Sequence, residues 1–267
     1  MKTKGLFFLL FLFCLTTLHA GTVHTVQVYS ESMNRNIDTQ IVTPDKEGSF
    51  PVIYLLHGYS GNYKTWLGIK PNLPELADQY GVIFVMPDGK NSWYWDSPKD
   101  PAYRYETFLS KELVTYVDTH YPTIPDRSKR AITGLSMGGH GGLWTSIRNK
   151  PVFGAGGSTS GGVDIRPFPK NWEMSHQLGA YETNKEIWDS HTVYTLVDNL
   201  KNGELAIIFD CGYADFFFDV NNALHEKLLK AGIDHDYLVR PGGHDNDYWR
   251  NAIDYQILFF VKYFNKK

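Results

Sequence analysis

Apolar and polar residues change their spacing several times along the chain, and each change marks an element. From Thr22 to Tyr29 and from Ile37 to Thr43 the two kinds alternate, which predicts half-buried strands joined as an antiparallel hairpin. Six short, nearly continuous apolar runs follow: Pro51 to Leu56, Val82 to Met86, Arg130 to Leu135, Phe153 to Ser158, Leu205 to Phe209 and Asp236 to Val239. Runs of this length without alternation suit strands covered on both faces. Helical spacing separates them, most clearly from Tyr105 to Tyr121 and from Val220 to Ala231. Strand-helix alternation of this kind predicts an α/β fold with a mainly parallel, doubly wound sheet and the hairpin as its antiparallel N-terminal edge. The segment 161–202 breaks the rhythm. It is long, holds Trp172 and Trp188, and is expected to form a small cap or lid, with peripheral packing as the alternative.

The first residues follow another pattern. Met1 to Lys4 is basic, Leu6 to Leu15 is apolar, and Leu18-His19-Ala20 approximates a small-residue cleavage site. Residues 1–20 therefore read as a secretory signal peptide, and the apolar stretch is shorter than the ~20 residues a membrane span needs. Cys14 lacks the small residue expected just before a lipidated cysteine. The expected product is a single exported domain, 21–267, periplasmic or extracellular. With 26 Lys and Arg against 29 Asp and Glu the chain carries a formal charge of −3, more negative once Lys2 and Lys4 leave. Such a balance offers nucleic acid or an anionic membrane no attraction. Loss of Cys14 would leave Cys211 as the sole cysteine, excluding an intramolecular disulfide and suggesting a small buried hydrophobe. No His, Cys, Asp or Glu spacing suggests a metal site, and no cofactor is expected.

Candidate chemistry enters with Gly134-Leu135-Ser136-Met137-Gly138, which lies between the strand-like Arg130-Ala131-Ile132-Thr133 and the helical stretch from His140 to Asn149. A pentapeptide G-x-S-x-G is weak evidence in a chain with 24 glycines, but a strand before and a helix after make a nucleophile elbow. Such an elbow exposes a serine hydroxyl on a sharp turn, where a neighbouring base can activate it. In chain order the acid and the histidine should then follow. The run Leu205 to Phe209 leads into a loop with Asp210 and Asp215, and Tyr237-Leu238-Val239-Arg240-Pro241-Gly242-Gly243 leads to His244. Strand carboxyl ends collect active-site residues in open α/β sheets, so Ser136, Asp215 and His244 can converge. Asp215 is favoured over Asp210, which sits at the strand end and could brace the loop instead. Of the 10 histidines, His57 is the rival base, but it precedes the serine and sits before Gly58 in a loop better suited to an oxyanion hole. The backbone amides of Tyr59 and Met137 are the expected donors there.

Four segments together carry a resemblance: Leu56-His57-Gly58-Tyr59-Ser60-Gly61, Gly134-Leu135-Ser136-Met137-Gly138-Gly139, Asp210-Cys211-Gly212 with Asp215, and Pro241-Gly242-Gly243-His244. The chain resembles the esterase D group of α/β-hydrolases, which includes S-formylglutathione hydrolases, tributyrin-type, feruloyl and acetylxylan esterases, and mycolyltransferases. The resemblance implies an α/β-hydrolase fold, with Ser136 as nucleophile, Asp215 as orienting acid, His244 as base and the Tyr59 and Met137 amides as oxyanion hole. Formylglutathione hydrolases carry a cysteine where Tyr59 and Ser60 stand here, a departure that argues against that activity, as does export away from cytosolic glutathione.

Aromatic residues make up 15% of the chain, and Asn91-Ser92-Trp93-Tyr94-Trp95-Asp96 concentrates three of them after a strand. Flat rings beside Asn and Asp suit a sugar or a phenolic acyl group. Trp93, Tyr94, Trp172 and His57 are therefore the candidate substrate-binding residues, the alternative being an aromatic cluster that ties the loop to the core. The expected activity is hydrolysis of short acyl, acetyl or feruloyl esters, with esterified plant polysaccharide as the substrate the resemblance favours. An acyltransferase, a peptidase and a non-catalytic carbohydrate-binding relative remain as alternatives, and the oligomeric state is left open.

Overall fold

The computed structural model describes residues 20–266, so the leader expected at 1–20 lies outside the described residues except for Ala20. The strands are β1 (Thr22–Ser30), β2 (Arg35–Thr43), β3 (Val52–Leu56), β4 (Ile83–Pro87), β5 (Arg130–Gly134), β6 (Ala155–Thr159), β7 (Ala206–Gly212) and β8 (Asp236–Arg240). They form one sheet in the order β1-β2-β4-β3-β5-β6-β7-β8. β1 and β2 pair antiparallel along their whole length, and β2 meets β4 antiparallel. From β4 to β8 every pairing is parallel. The expected α/β sheet with an antiparallel N-terminal edge is therefore present.

The all-apolar central runs reflect burial on both faces, because successive side chains of a strand point to opposite sides. Val52, Tyr54 and Leu56 of β3 join one core cluster, with Leu143, Trp144 and Ile147 of the helix Met137–Arg148 and Leu224 and Leu228 of the helix Phe218–Lys230. Ile53 and Leu55 face a second cluster, with Leu73, Leu76 and Ala77 of the helix Leu73–Tyr80 and Ile253, Ile257 and Phe260 of the C-terminal helix Asn246–Phe264. Among the described residues no helix is long and apolar enough to cross a membrane.

The helix expected from Tyr105 to Tyr121 is continuous but not uniform. A π-helical turn, Phe108–Leu113, joins the α-helical Tyr105–Thr107 and Val114–His120. Glu112 in that turn accepts hydrogen bonds from the Ser30 hydroxyl (2.6 Å) and the Ser32 amide (2.8 Å), tying the helix to the end of the hairpin.

Strand register decides which loops meet. Leu56 of β3 lies beside Gly134 of β5, so the loop after β3 runs next to the turn after β5. This is where the chain switches sides of the sheet, the usual place for a crevice. Gly212 of β7 lies beside Arg240 of β8, which sets the loop carrying Asp215 against the loop carrying His244. The segment 161–202 contains three short α-helices, Met174–Leu178, Lys185–Ser190 and Val193–Leu196, and two 3₁₀ turns, Tyr181–Thr183 and Val197–Asn199. Trp188, Val193 and Val197 of this segment are buried in the first core cluster, while Trp172 and Glu173 lie at its edge toward the loops just named.

Candidate active site

Ser136 stands between β5 and the helix Met137–Arg148 with φ +55° and ψ −118°, a conformation that L residues adopt at a cost of ~1–3 kcal/mol. The surroundings hold it there. Its amide donates to the Thr159 carbonyl (3.0 Å), and its carbonyl accepts from the His140 amide (3.0 Å). Gly138 has no room for a side chain, since a Cβ would lie 2.3 Å from the Leu56 carbonyl oxygen. Gly58 lets the neighbouring loop approach the nucleophile, and a Cβ there would sit 2.6 Å from the Leu135 side chain and 3.3 Å from Ser136 Cβ.

The three expected side chains form one hydrogen-bonded chain. Ser136 Oγ lies 2.9 Å from His244 Nε2, and His244 Nδ1 lies 2.8 Å from Asp215 Oδ2. A carboxylate accepts only, so Nδ1 carries the proton and Nε2 is left to accept the serine hydroxyl. Asp215 is buried, and its other oxygen, Oδ1, accepts the Phe217 amide at 2.8 Å. Phe216 packs on the imidazole with ring centroids 4.2 Å apart, and Trp249 meets it edge-on at 5.0 Å.

The expected oxyanion donors are the Tyr59 and Met137 amides, and Gly58, next to Tyr59, brings its loop into contact with Ser136. Met137 opens its helix, where an N–H has no intrahelical carbonyl to meet. The loop after β3 is closed by Gly61 N–H to the Gly58 carbonyl (3.0 Å) and by Ser60 N–H to Asn91 Oδ1 (2.8 Å), neither of which takes up the Tyr59 amide.

Asp210 has a different task. It is buried, accepts from Thr159 Oγ1 (2.7 Å) and Gln256 Nε2 (2.6 Å), and lies 3.6 Å from the Arg240 guanidinium. Burial raises its pKa despite the hydrogen bonds that oppose the shift. These contacts tie β6, β7 and the C-terminal helix together, away from His244. Cys211 beside it is a free thiol, buried, and burial pushes its pKa up.

Three of the four candidate substrate-binding residues do not line the site. Trp93 is 1% exposed and Tyr94 is fully buried, so the expectation that they rim a pocket is corrected. Trp93 stacks on Trp95 (5.6 Å) and meets His140 edge-on, while the Tyr94 hydroxyl donates to the His57 carbonyl at 3.0 Å. Trp93 and Tyr94 have φ of +56° and +63°, which turns their rings inward as a plug between the loop and the helix Met137–Arg148. His140 in that plug accepts from Trp95 Nε1 (2.9 Å), and burial pushes its pKa down to about 3. His57 is also buried. Its Nε2 accepts the Gly89 amide (2.8 Å), which leaves Nδ1–H to donate to the Gly58 carbonyl (2.7 Å). With both nitrogens committed and its ring buried, His57 braces two loops.

Trp172 does reach the site, at one remove. Its ring stacks on Phe216 at 5.8 Å and lies 5.3 Å from Phe217. Phe216 itself is 52% exposed beside the imidazole and escaped the sequence reading. The available signal was the run Phe216-Phe217-Phe218 directly after the acid, since three successive aromatic rings cannot all enter a core from one loop.

Comparison with known proteins identifies the family. The family model described as "Putative esterase" matches residues 30–260. An acetyl esterase of Caldicellulosiruptor saccharolyticus is 30% identical over 251 residues, covering 85% of this chain and 94% of that protein. A solved ferulic acid esterase superposes with a TM-score of 0.79 at 26% identity, over 92% of this chain and 99% of its own. The fluorophosphonate-binding serine hydrolase F of Staphylococcus aureus shares the fold, with a TM-score of 0.81 at 20% identity over 91% of this chain and 99% of its own. The chain therefore belongs to the esterase family, in the esterase D-type group of α/β-hydrolases, and is an esterase.

Proposed function

We propose that the protein is an exported carboxylesterase that cleaves short acyl, acetyl or feruloyl esters, including those on plant polysaccharide, through Ser136, His244 and Asp215. The unbroken chain Ser136 Oγ to His244 Nε2 (2.9 Å) and His244 Nδ1 to Asp215 Oδ2 (2.8 Å) carries the proposal. As Ser136 Oγ attacks the ester carbonyl carbon, its proton passes to His244 Nε2. Asp215 steadies the imidazolium without taking its proton. The amides of Tyr59 and Met137 donate hydrogen bonds to the carbonyl oxygen as negative charge develops on it, usually the largest electrostatic contribution in such sites. Collapse expels the alcohol with the proton held by His244 and leaves an acyl-Ser136. Water then repeats the sequence with His244 again as base and releases the acid. The test is labelling of Ser136 by a fluorophosphonate, followed by rates on short p-nitrophenyl esters, methyl ferulate and acetylated xylan. A protein that neither labels nor hydrolyses any of them excludes the proposal. Export rests on the pattern of residues 1–20, and an unprocessed N-terminus on protein recovered from the cytoplasm would exclude it.

Substrate preference is best read at Phe216. Removing buried Trp93 would cost ~3–5 kcal/mol of folding and so confuse stability with selectivity. Phe216 is exposed, and losing one ring contact is worth only about 0.5–1.5 kcal/mol. Phe216→Ala is expected to lower kcat/KM for methyl ferulate about 3- to 10-fold while changing p-nitrophenyl acetate less than about twofold. Equal losses on both esters would mean that Phe216 serves His244 alone.

A further inference from the structure

Trp172 and Glu173 are successive non-glycine residues with φ of +50° and +54°, in the left-handed region. Two such residues in a row are held only where the surroundings over-determine them. Here the two side chains reach to two different loops, the one carrying Asp215 and the one after β3. Trp172 stacks on Phe216 and Phe217 of the loop that carries Asp215. Glu173 Oε2 accepts the Tyr59 hydroxyl at 2.9 Å, a bond between residues 114 positions apart. Burial and this hydrogen bond both raise the Tyr59 pKa, which keeps the hydroxyl a donor. A second tie runs beside the first. Gln177 Nε2 donates to the Asn91 carbonyl (2.9 Å), and Asn91 Oδ1 accepts the Ser60 amide (2.8 Å). Both successive residues of the loop after β3 are thus anchored from the segment 161–202, one directly and one through Asn91.

We infer that Glu173 is a positioning residue: its bond to the Tyr59 hydroxyl sets the angle at which the Tyr59 amide faces the carbonyl oxygen of a substrate. The inference rests on the reading of that amide as an oxyanion donor. Donor geometry matters because a hydrogen bond weakens steeply once it leaves its line, and losing one oxyanion donor entirely costs about 10²- to 10³-fold in rate. A tilted donor should cost part of that. The segment 161–202, besides contributing Trp188 and Val193 to the core, would then set the electrostatics of the acyl site from a distance.

The experiment compares Tyr59→Phe, Glu173→Ala, the double variant and Glu173→Gln, on p-nitrophenyl acetate and by hydrogen exchange across residues 57–61. Tyr59→Phe and Glu173→Ala are each expected to lower kcat about tenfold with KM within about twofold, since the ground-state carbonyl needs the donor less than the transition state does. The double variant should be no slower than either single one, because both remove the same bond. Glu173→Gln keeps an acceptor oxygen and should restore kcat to within about twofold of the unaltered protein. Exchange in 57–61 should quicken in Tyr59→Phe and Glu173→Ala and not in Glu173→Gln. Multiplicative losses in the double variant, a loss in KM instead of kcat, or unaltered exchange would overturn the inference. If the unaltered protein hydrolyses no ester, the reading of the site fails, and the exchange comparison still decides whether Glu173 holds the loop.

Discussion

Ser136→Ala is expected to lower ester hydrolysis by about 10⁵- to 10⁶-fold while the protein stays folded, and His244→Ala by a similar factor. Ser136 Oγ lies 2.9 Å from His244 Nε2, so nucleophile and base act through one proton. Removing either leaves nothing for the other to do, and the double variant should lose little more than each single one. Binding and the oxyanion donors remain in all three, which sets a floor above the uncatalysed rate. Loss of the hydroxyl should not unfold the chain, because the elbow is held by backbone bonds from Ser136 to Thr159 and His140. The measurement is kcat/KM on p-nitrophenyl acetate, with a thermal melt as the control for folding. A folded Ser136→Ala protein with undiminished activity would remove Ser136 from the mechanism.

The second large effect separates the two acids. Asp215→Asn should lower kcat by about 10⁴-fold, because an amide in contact with Nδ1 can donate and so favours the imidazole tautomer with its proton on Nε2, which cannot accept from Ser136. Asp210→Asn should leave kcat within a few-fold. Its cost falls on folding, at about 1–3 kcal/mol, since one carboxylate oxygen that now meets Thr159 and Gln256 becomes a donor facing donors. Kinetics and melting temperature measured on both variants should therefore show opposite patterns. A slow Asp210→Asn enzyme beside a fast Asp215→Asn enzyme would reassign the acid.

The same pair of residues shows how far the chain can be read without its fold. Both acids follow one apolar run, and only the pairing of Gly212 with Arg240, which brings the loops after β7 and β8 together, decides that Asp215 and not Asp210 meets His244. The Trp93-Tyr94-Trp95 cluster invited a pocket reading for a similar reason. Composition identifies rings that can stack, but the positive φ at Trp93 and Tyr94 that folds them inward is not written in composition. Phe216, from an unremarked aromatic run, takes the exposed place beside the imidazole.

What the amino-acid sequence determines by itself is local. Alternation in the first strand, unbroken apolar runs in the inner parallel ones and glycines around Ser136 each follow from constraints acting over a few residues: which faces are buried, and where a Cβ cannot fit, whereas β2 is buried on both faces and the edge strand β8 is partly exposed. Strand-helix alternation then leaves few topologies open, because parallel neighbours need crossovers of one hand. The tertiary structure alone decides what depends on register and on contacts between distant segments. It commits both nitrogens of His57 to the backbone, aims Asp215 at His244, and carries Glu173 across to Tyr59. Each is a directional hydrogen bond whose partners lie on different loops, and its geometry exists only after the sheet has set those loops side by side.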